Sequence, residues 1–255
     1  MLKTTLNGLS VAFERRGSGK PMVLIHGYPL DHSIWDKVTP LLESKADLIL
    51  PDLRGFGQSA ISPADYGLND LAADIASLLD QLKIEQAVIT GHSMGGYVAL
   101  AFAHAYPQRV AGLGLVSSQA GADAPERKAA RYKEADHVLA EGVGDVAKNM
   151  SAKLTADSKL QEEMKLLILR QPAKGLANAV RAMAERPDST PFLHEFRFPV
   201  AIVHGLNDAL IPVDRAREVK ARVKNGTLVE IEGAGHLPML EGPQSTAGEL
   251  LKLVI

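Results

Sequence analysis

The run Gly91-His92-Ser93-Met94-Gly95-Gly96 stands between the apolar segment Ala87-Val88-Ile89-Thr90 and a second one, Tyr97-Val98-Ala99-Leu100-Ala101-Phe102. A short apolar strand that meets a tight glycine-bounded turn and reopens as a helix is the setting of a nucleophile elbow. Such a turn forces Ser93 into a strained backbone conformation. Side chains at Gly91, Gly95 or Gly96 would collide with the adjoining strand or helix. The hydroxyl is then held clear of the sheet at a helix N-terminus, where the dipole favours negative charge.

The rest of the chain supplies the layers this turn requires. Asn7-Gly8, between Leu2–Leu6 and Leu9–Glu14, predicts an antiparallel hairpin at the start. Strands follow at Met22–His26, Asp47–Leu50, Ala87–Thr90 and Leu113–Ser117, alternating with helical patterns over Ile34–Leu42, Leu71–Leu82 and Met94–Ala105. These strand segments are apolar throughout instead of alternating, as in a parallel sheet covered by helices on both faces. The alternation stops near Gln119. From Asp123 to Arg186 only helical patterns occur, at Glu126–Ala140, Asp145–Leu154, Leu160–Arg170 and Leu176–Glu185. It resumes with Val200–His204, Arg215–Val223, Thr227–Ile231 and Gln244–Val254. A helical block set into an α/β alternation reads as a cap laid over the sheet, with four ordinary surface helices as the alternative. The expected division is a core of residues 1–120 and 191–255 with a cap over 121–190, and Gly142 and Gly144 are candidate hinges.

With 255 residues the chain can bury a full core as one α/β domain carrying an insertion. Lys+Arg (28) and Asp+Glu (30) nearly balance, and no long run of one sign occurs, so no basic nucleic-acid surface is expected. The absence of cysteine excludes thiol nucleophiles, disulfides and thiolate metal sites. The Met1–Gly8 segment has no apolar signal core, and no apolar run reaches the ~20 residues of a membrane span. The expectation is a cytoplasmic protein, with monomer and homodimer both open.

A serine nucleophile needs a base within hydrogen-bond reach, and the base needs an orienting acid. Eight histidines compete. His26 and His204 close apolar strands and His92 flanks the turn on the side away from Ser93, which suits structural roles. His104, His137 and His194 lie on helical patterns or in a linker, and His32 follows a turn. His236, in Gly233-Ala234-Gly235-His236-Leu237-Pro238, follows the last strand on a loop that can fold back over the sheet edge, and it is the candidate base. Asp208, in Gly205-Leu206-Asn207-Asp208, follows the preceding strand at the same edge and is the candidate acid, ahead of Asp214 and Asp123. The oxyanion of a tetrahedral intermediate needs preorganised donors. The Met94 N–H and the Tyr28 N–H fill these places, since Pro29 has no N–H to give. Trp35 and Leu237 near the motif loops, and Met150, Leu154 and Met164 on the inserted helices, are candidate substrate contacts, although such stripes more often form core.

His26-Gly27-Tyr28-Pro29, the segment Pro51–Ser59, the Ser93 turn, Gly205-Leu206-Asn207-Asp208 and Gly235-His236 together resemble the α/β-hydrolase superfamily. The order serine, acid, histidine is that of the superfamily. The resemblance implies a mostly parallel eight-stranded sheet with helices on both faces and an all-helical cap. It implies a Ser93-Asp208-His236 triad that needs no metal and no organic cofactor. Arg54 is expected to brace its loop and not to touch substrate. Serine at the turn disfavours haloalkane dehalogenases and epoxide hydrolases, which carry aspartate there. His92 departs from the asparagine usual in C–C bond hydrolases. The implied activity is cleavage of small carboxylic esters, including lactones, through an acyl-serine. An enol-lactonase, a C–C bond hydrolase of aromatic breakdown, a perhydrolase and a non-turnover sensor of the same fold stand as alternatives.

Overall fold

The computed structural model describes residues 1–254. It opens on a hairpin of β1 (Leu2–Leu6) and β2 (Leu9–Gly17), turned by Asn7 and Gly8 at φ +48° and +82°. Positive φ at both central residues gives the turn whose twist suits two paired strands. β3 (Lys20–Ile25) is followed by a 3-10 turn at His32–Trp35 and the short α1 (Thr39–Leu42). The continuous helix expected over Ile34–Leu42 is therefore broken. Pro40 has no N–H to continue a helical ladder but suits a first turn, so a new helix starts there.

Then come β4 (Ala46–Pro51), α2 (Leu68–Gln81), β5 (Ala87–His92), α3 (Met94–Ala105) and β6 (Val110–Val116). Four helices follow before the next strand: α4 (Pro125–Glu141), α5 (Gly144–Leu154), α6 (Ser158–Leu169) and α7 (Ala173–Ala184). The chain closes with β7 (Val200–Gly205), α8 (Asp214–Arg222), β8 (Gly226–Ile231), α9 (Pro238–Glu241) and α10 (Pro243–Leu251).

The eight strands form one sheet in the order β1-β2-β4-β3-β5-β6-β7-β8, antiparallel at β1/β2 and β2/β4 and parallel elsewhere. Every residue of β4, β5 and β7 is buried. That is the mark of strands covered on both faces, and it explains why their sequences lack alternation. α3 is apolar all round because it packs on β3, β5, β6 and α2 together. Among the four helices between β6 and β7, α4 packs on α7 and α5 on α6. Their buried apolar residues belong to the same hydrophobic cluster as the sheet. Two polar contacts add to this: the Gln171 side chain accepts from Gly57 N at 2.9 Å, and the Leu154 carbonyl accepts from His236 N at 2.9 Å.

Candidate active site

Ser93 lies between β5 and α3 with φ +51° and ψ −113°, a region an L-residue occupies only when its surroundings leave no alternative. The surroundings are tight. A Cβ on Gly91 would sit 2.0 Å from the Gly95 carbonyl oxygen, one on Gly95 2.4 Å from the Ile25 carbonyl oxygen, and one on Gly96 2.3 Å from Ser118 Oγ. At Gly91 and Gly95 the obstacle is helix or strand backbone, as expected from the sequence, whereas at Gly96 it is the Ser118 side chain beyond the end of β6. Ser93 N donates to the Val116 carbonyl at 2.9 Å, and its own carbonyl accepts from Ser118 Oγ at 2.9 Å. Ser118 is a support that the sequence reading missed.

Asp208 and His236 come from the loops after β7 and β8. Those loops run backbone against backbone: a Cβ on Gly205 would lie 2.1 Å from the Gly235 carbonyl oxygen. His236 Nδ1 donates to Asp208 Oδ2 at 2.7 Å. Asp208 Oδ1 accepts from Leu210 N at 2.8 Å and Ile211 N at 3.0 Å, while His204 Nε2 lies 3.3 Å from Oδ2. Burial alone would raise the Asp208 pKa, but the hydrogen bonds from His204 and His236 outweigh it and hold the carboxyl far below the usual carboxylate range. The acid is thus fixed as an anion, and it fixes the His236 tautomer with Nδ1 protonated and Nε2 free.

The His236 loop is held at several further points. His92 Nε2 donates to the His236 carbonyl at 2.8 Å, and the two rings lie 4.9 Å apart. Glu241 accepts from Gly235 N at 2.9 Å and Leu237 N at 3.1 Å, and is itself steadied by Thr155 Oγ1 at 2.6 Å. Sequence motifs gave no sign of Glu241, because a lone glutamate in a four-residue helix has no distinguishing pattern. His92 also lines the space beside Gly27, where an added Cβ would approach its Nδ1 to 2.5 Å. Burial, then the neighbouring His236 imidazole, keeps His92 neutral by pulling its pKa well below the ordinary value. His26 is likewise structural. Its Nδ1 lies 3.0 Å from the Gly27 carbonyl, and its Nε2 accepts from Leu53 N at 2.9 Å.

Ser93, His236 and Tyr28 share one cavity of about 800 Å³. Met94 is the first residue of α3, so its N–H belongs to the helical turn that has no intrahelical acceptor. Tyr28 sits in the turn closed by Leu30 N donating to the Gly27 carbonyl at 2.9 Å, and its phenol donates to Glu134 on α4 at 2.9 Å. The rival acids are engaged elsewhere: Asp123 pairs with Arg131 and Arg186, and Asp214 with Arg217.

Of the five residues expected to contact substrate, only Met150 lines the cavity. Trp35, Leu154 and Leu237 are fully buried in the core and Met164 nearly so, and none of the four reaches the cavity. Most of the apolar spacing on the helices between β6 and β7 marks the face turned to their own packing, while Val146, Met150 and Met183 also line the cavity. The cavity-facing stripe of α4 is Arg127, Arg131, Glu134 and His137, and that of α5 includes Asp145, Asn149 and Lys153. A charged stripe is indistinguishable in sequence from a solvated face. Arg54 pairs with Asp74 of α2 through two contacts of 2.7 and 2.6 Å, and it braces its loop as expected. Asp31, His32 and Asp52 also gather within 4.8 Å of one another, but Asp52 Oδ1 is taken by the His32 N–H and Nδ1, and Asp31 Oδ1 by Ser33.

This sheet, the serine turn and the loops behind it place the molecule among the hydrolases of its fold, and residues 20–243 match the family described as "alpha/beta hydrolase fold". The chain belongs to that family. Among relatives it is similar to the pimeloyl-[acyl-carrier protein] methyl ester esterase of Aromatoleum aromaticum, with 30% identity covering 89% of this chain and 94% of that protein. Among solved structures it resembles a malate-bound thermophilic esterase from Thermogutta terrifontis, with TM-score 0.94, 36% identity and coverage of 99% of this chain and 97% of that one. The enol-lactonase of Burkholderia xenovorans LB400 superposes with TM-score 0.91 over 99% of both chains at 21% identity, a likeness of fold.

Proposed function

We propose that this protein is a serine esterase that cleaves carboxylic esters through an acyl intermediate on Ser93. The observation that carries the reading is the 2.7 Å bond from His236 to a buried Asp208 held ionised, with His236 lining the same cavity as the strained Ser93. His236 Nε2 takes the Ser93 proton as Oγ attacks the ester carbonyl, and returns it to the departing alcohol. Asp208 keeps the imidazole in the tautomer that makes this transfer possible and stabilises the imidazolium that forms. The N–H groups of Tyr28 and Met94 meet the charge that grows on the carbonyl oxygen. Water activated by His236 then releases the acid, and Ser93 is restored. The helices α4–α7 act as a cap that closes the cavity over the ester. Two similar proteins named as esterases support the reaction class.

Ser93→Ala is expected to lose on the order of 10⁴ or more in turnover of p-nitrophenyl butyrate, and Asp208→Asn a loss of similar order, with unchanged circular dichroism. An active-site phosphonate should label Ser93 and no other residue. Full turnover by folded Ser93→Ala would overturn the assignment.

A further inference from the structure

The Ser93 reaction draws on two loops of the core, and each is tied to a helix between β6 and β7. The His236 N–H donates to the Leu154 carbonyl at the end of α5 at 2.9 Å. The Tyr28 phenol donates to Glu134 Oε1 of α4 at 2.9 Å. The second tie bears on the chemistry, because the N–H of the same tyrosine is one of the two assigned to the oxyanion.

The turn that carries this N–H has little backbone support. Leu30 N closes it on the Gly27 carbonyl at 2.9 Å, and Pro29 has no N–H to add. The Tyr28 N–H itself donates to no acceptor among the described residues. A free donor is what an oxyanion needs, but a free donor has no bond of its own to hold its place. The side chain supplies the hold. Tyr28 is buried, its ring meets Phe56 edge-on with centroids 6.5 Å apart, and Glu134 binds its far end. A side chain with only two torsions, fixed along its edge and at its tip, leaves its own backbone little room to turn. The anchor is itself fastened. Arg131, buried one turn earlier on α4, pairs with Asp123, which also lies 2.8 Å from Arg186, and α4 packs along α7.

From this chain of contacts we infer that Glu134 is a positioning residue for the Ser93 reaction: through the Tyr28 phenol it sets where the Tyr28 N–H meets the developing oxyanion. The inference rests on the esterase reading above. Glu134 acts on no reacting atom itself, so its effect passes through Tyr28. Full charge on the carbonyl oxygen develops only on the way to the tetrahedral intermediate. A displaced donor therefore lowers kcat and leaves substrate binding nearly as it was.

The test measures kcat and KM for p-nitrophenyl butyrate in Tyr28→Phe, Glu134→Leu, Glu134→Gln and the combined Tyr28→Phe/Glu134→Leu, with folding checked by circular dichroism. Tyr28→Phe and Glu134→Leu are each expected to lose about tenfold or more in kcat, with KM changed by less than about threefold. The combined variant should fall no more than about twofold below the weaker single one, because both changes remove the same bond. Glu134→Gln, whose amide oxygen still accepts the phenol, should bring kcat back to within about threefold of the wild type. Tyr28→Phe keeps the ring and its packing, so it carries the test alone if Glu134→Leu does not fold. A smaller loss in folded Tyr28→Phe, a loss carried by KM, or losses that multiply in the combined variant would overturn the inference. So would a Glu134→Gln protein as impaired as Glu134→Leu. In each of these cases the esterase reading stands. If the wild-type protein hydrolyses no ester, the esterase reading itself is what fails.

Discussion

Around Ser93 the backbone is shaped by what cannot be there. Gly95 is pressed between the Ile25 and His26 carbonyl oxygens, at 2.4 and 2.6 Å from an added Cβ, so neither the strand end nor the helix start can yield to a methyl group. Gly95→Ala is expected to destabilise the protein by about 2–4 kcal/mol and to misplace the Met94 N–H. Gly248, exposed in α10 with nothing within 4 Å of an added Cβ, is the opposite case. There alanine should stabilise by about 0.5–1 kcal/mol, since only the unfolded chain loses freedom. Urea midpoints of the two variants on either side of the wild type check both signs. These positions also show why the motif could be read in the sequence. The glycines themselves lie within three residues of Ser93, so the signature is local, although the groups that require Gly95 and Gly96 (the Ile25 and His26 carbonyls and Ser118) come from other parts of the chain.

At the scale of elements the legibility changes. Strands, helices and the helical block between β6 and β7 announce themselves by apolar periodicity, and apart from the broken 34–42 helix their ends fall within a few residues of expectation. What elements do to one another is less visible. The loop after β4 is tied to α2 by Arg54 and Asp74, while Asn7 of the opening hairpin donates to the same Asp74 oxygen at 2.8 Å. One buried carboxylate therefore joins three elements from distant parts of the chain. Arg54→Met would strand that charge and is expected to cost about 3–5 kcal/mol, whereas Arg54→Met combined with Asp74→Leu should recover most of it. Equal destabilisation in the single and double variants would show that the pair does not act as a unit. The charged inner face of α4 escaped the sequence for a related reason. Helical periodicity reports which residues avoid water, and a polar cavity and bulk solvent look alike to it.

For the molecule as a whole, the fixed imidazoles that hold the site in shape also set its tolerance of acid. His26 and His92 are fully buried, and burial lowers both pKa values, that of His92 strongly. In the unfolded chain they titrate near the ordinary value of about 6.5, so below that pH the unfolded state binds protons the folded state refuses. Their contribution to stability is complete above about pH 6.5 and is lost as pH falls. His32 runs the other way: burial lowers its pKa, but the Asp52 hydrogen bond outweighs this and raises it, so it stabilises most below about pH 6.5. Two groups oppose one, and once His32 is protonated in both states the pair acts alone. The folding free energy should then fall toward pH 5 by up to about 1.4 kcal/mol per pH unit for each buried imidazole that stays neutral. Below about pH 4 the decline should steepen, because Asp208, Asp52 and Asp123 are all held below the usual carboxylate range and must be protonated on unfolding. Urea titrations at pH 8, 7, 6, 5, 4 and 3 should show this two-stage loss, with the first stage flatter in His92→Gln. A urea midpoint that rises between pH 7 and pH 5 would show that the buried imidazoles accept protons in the folded state, and that the scaffold behind His236 is charged.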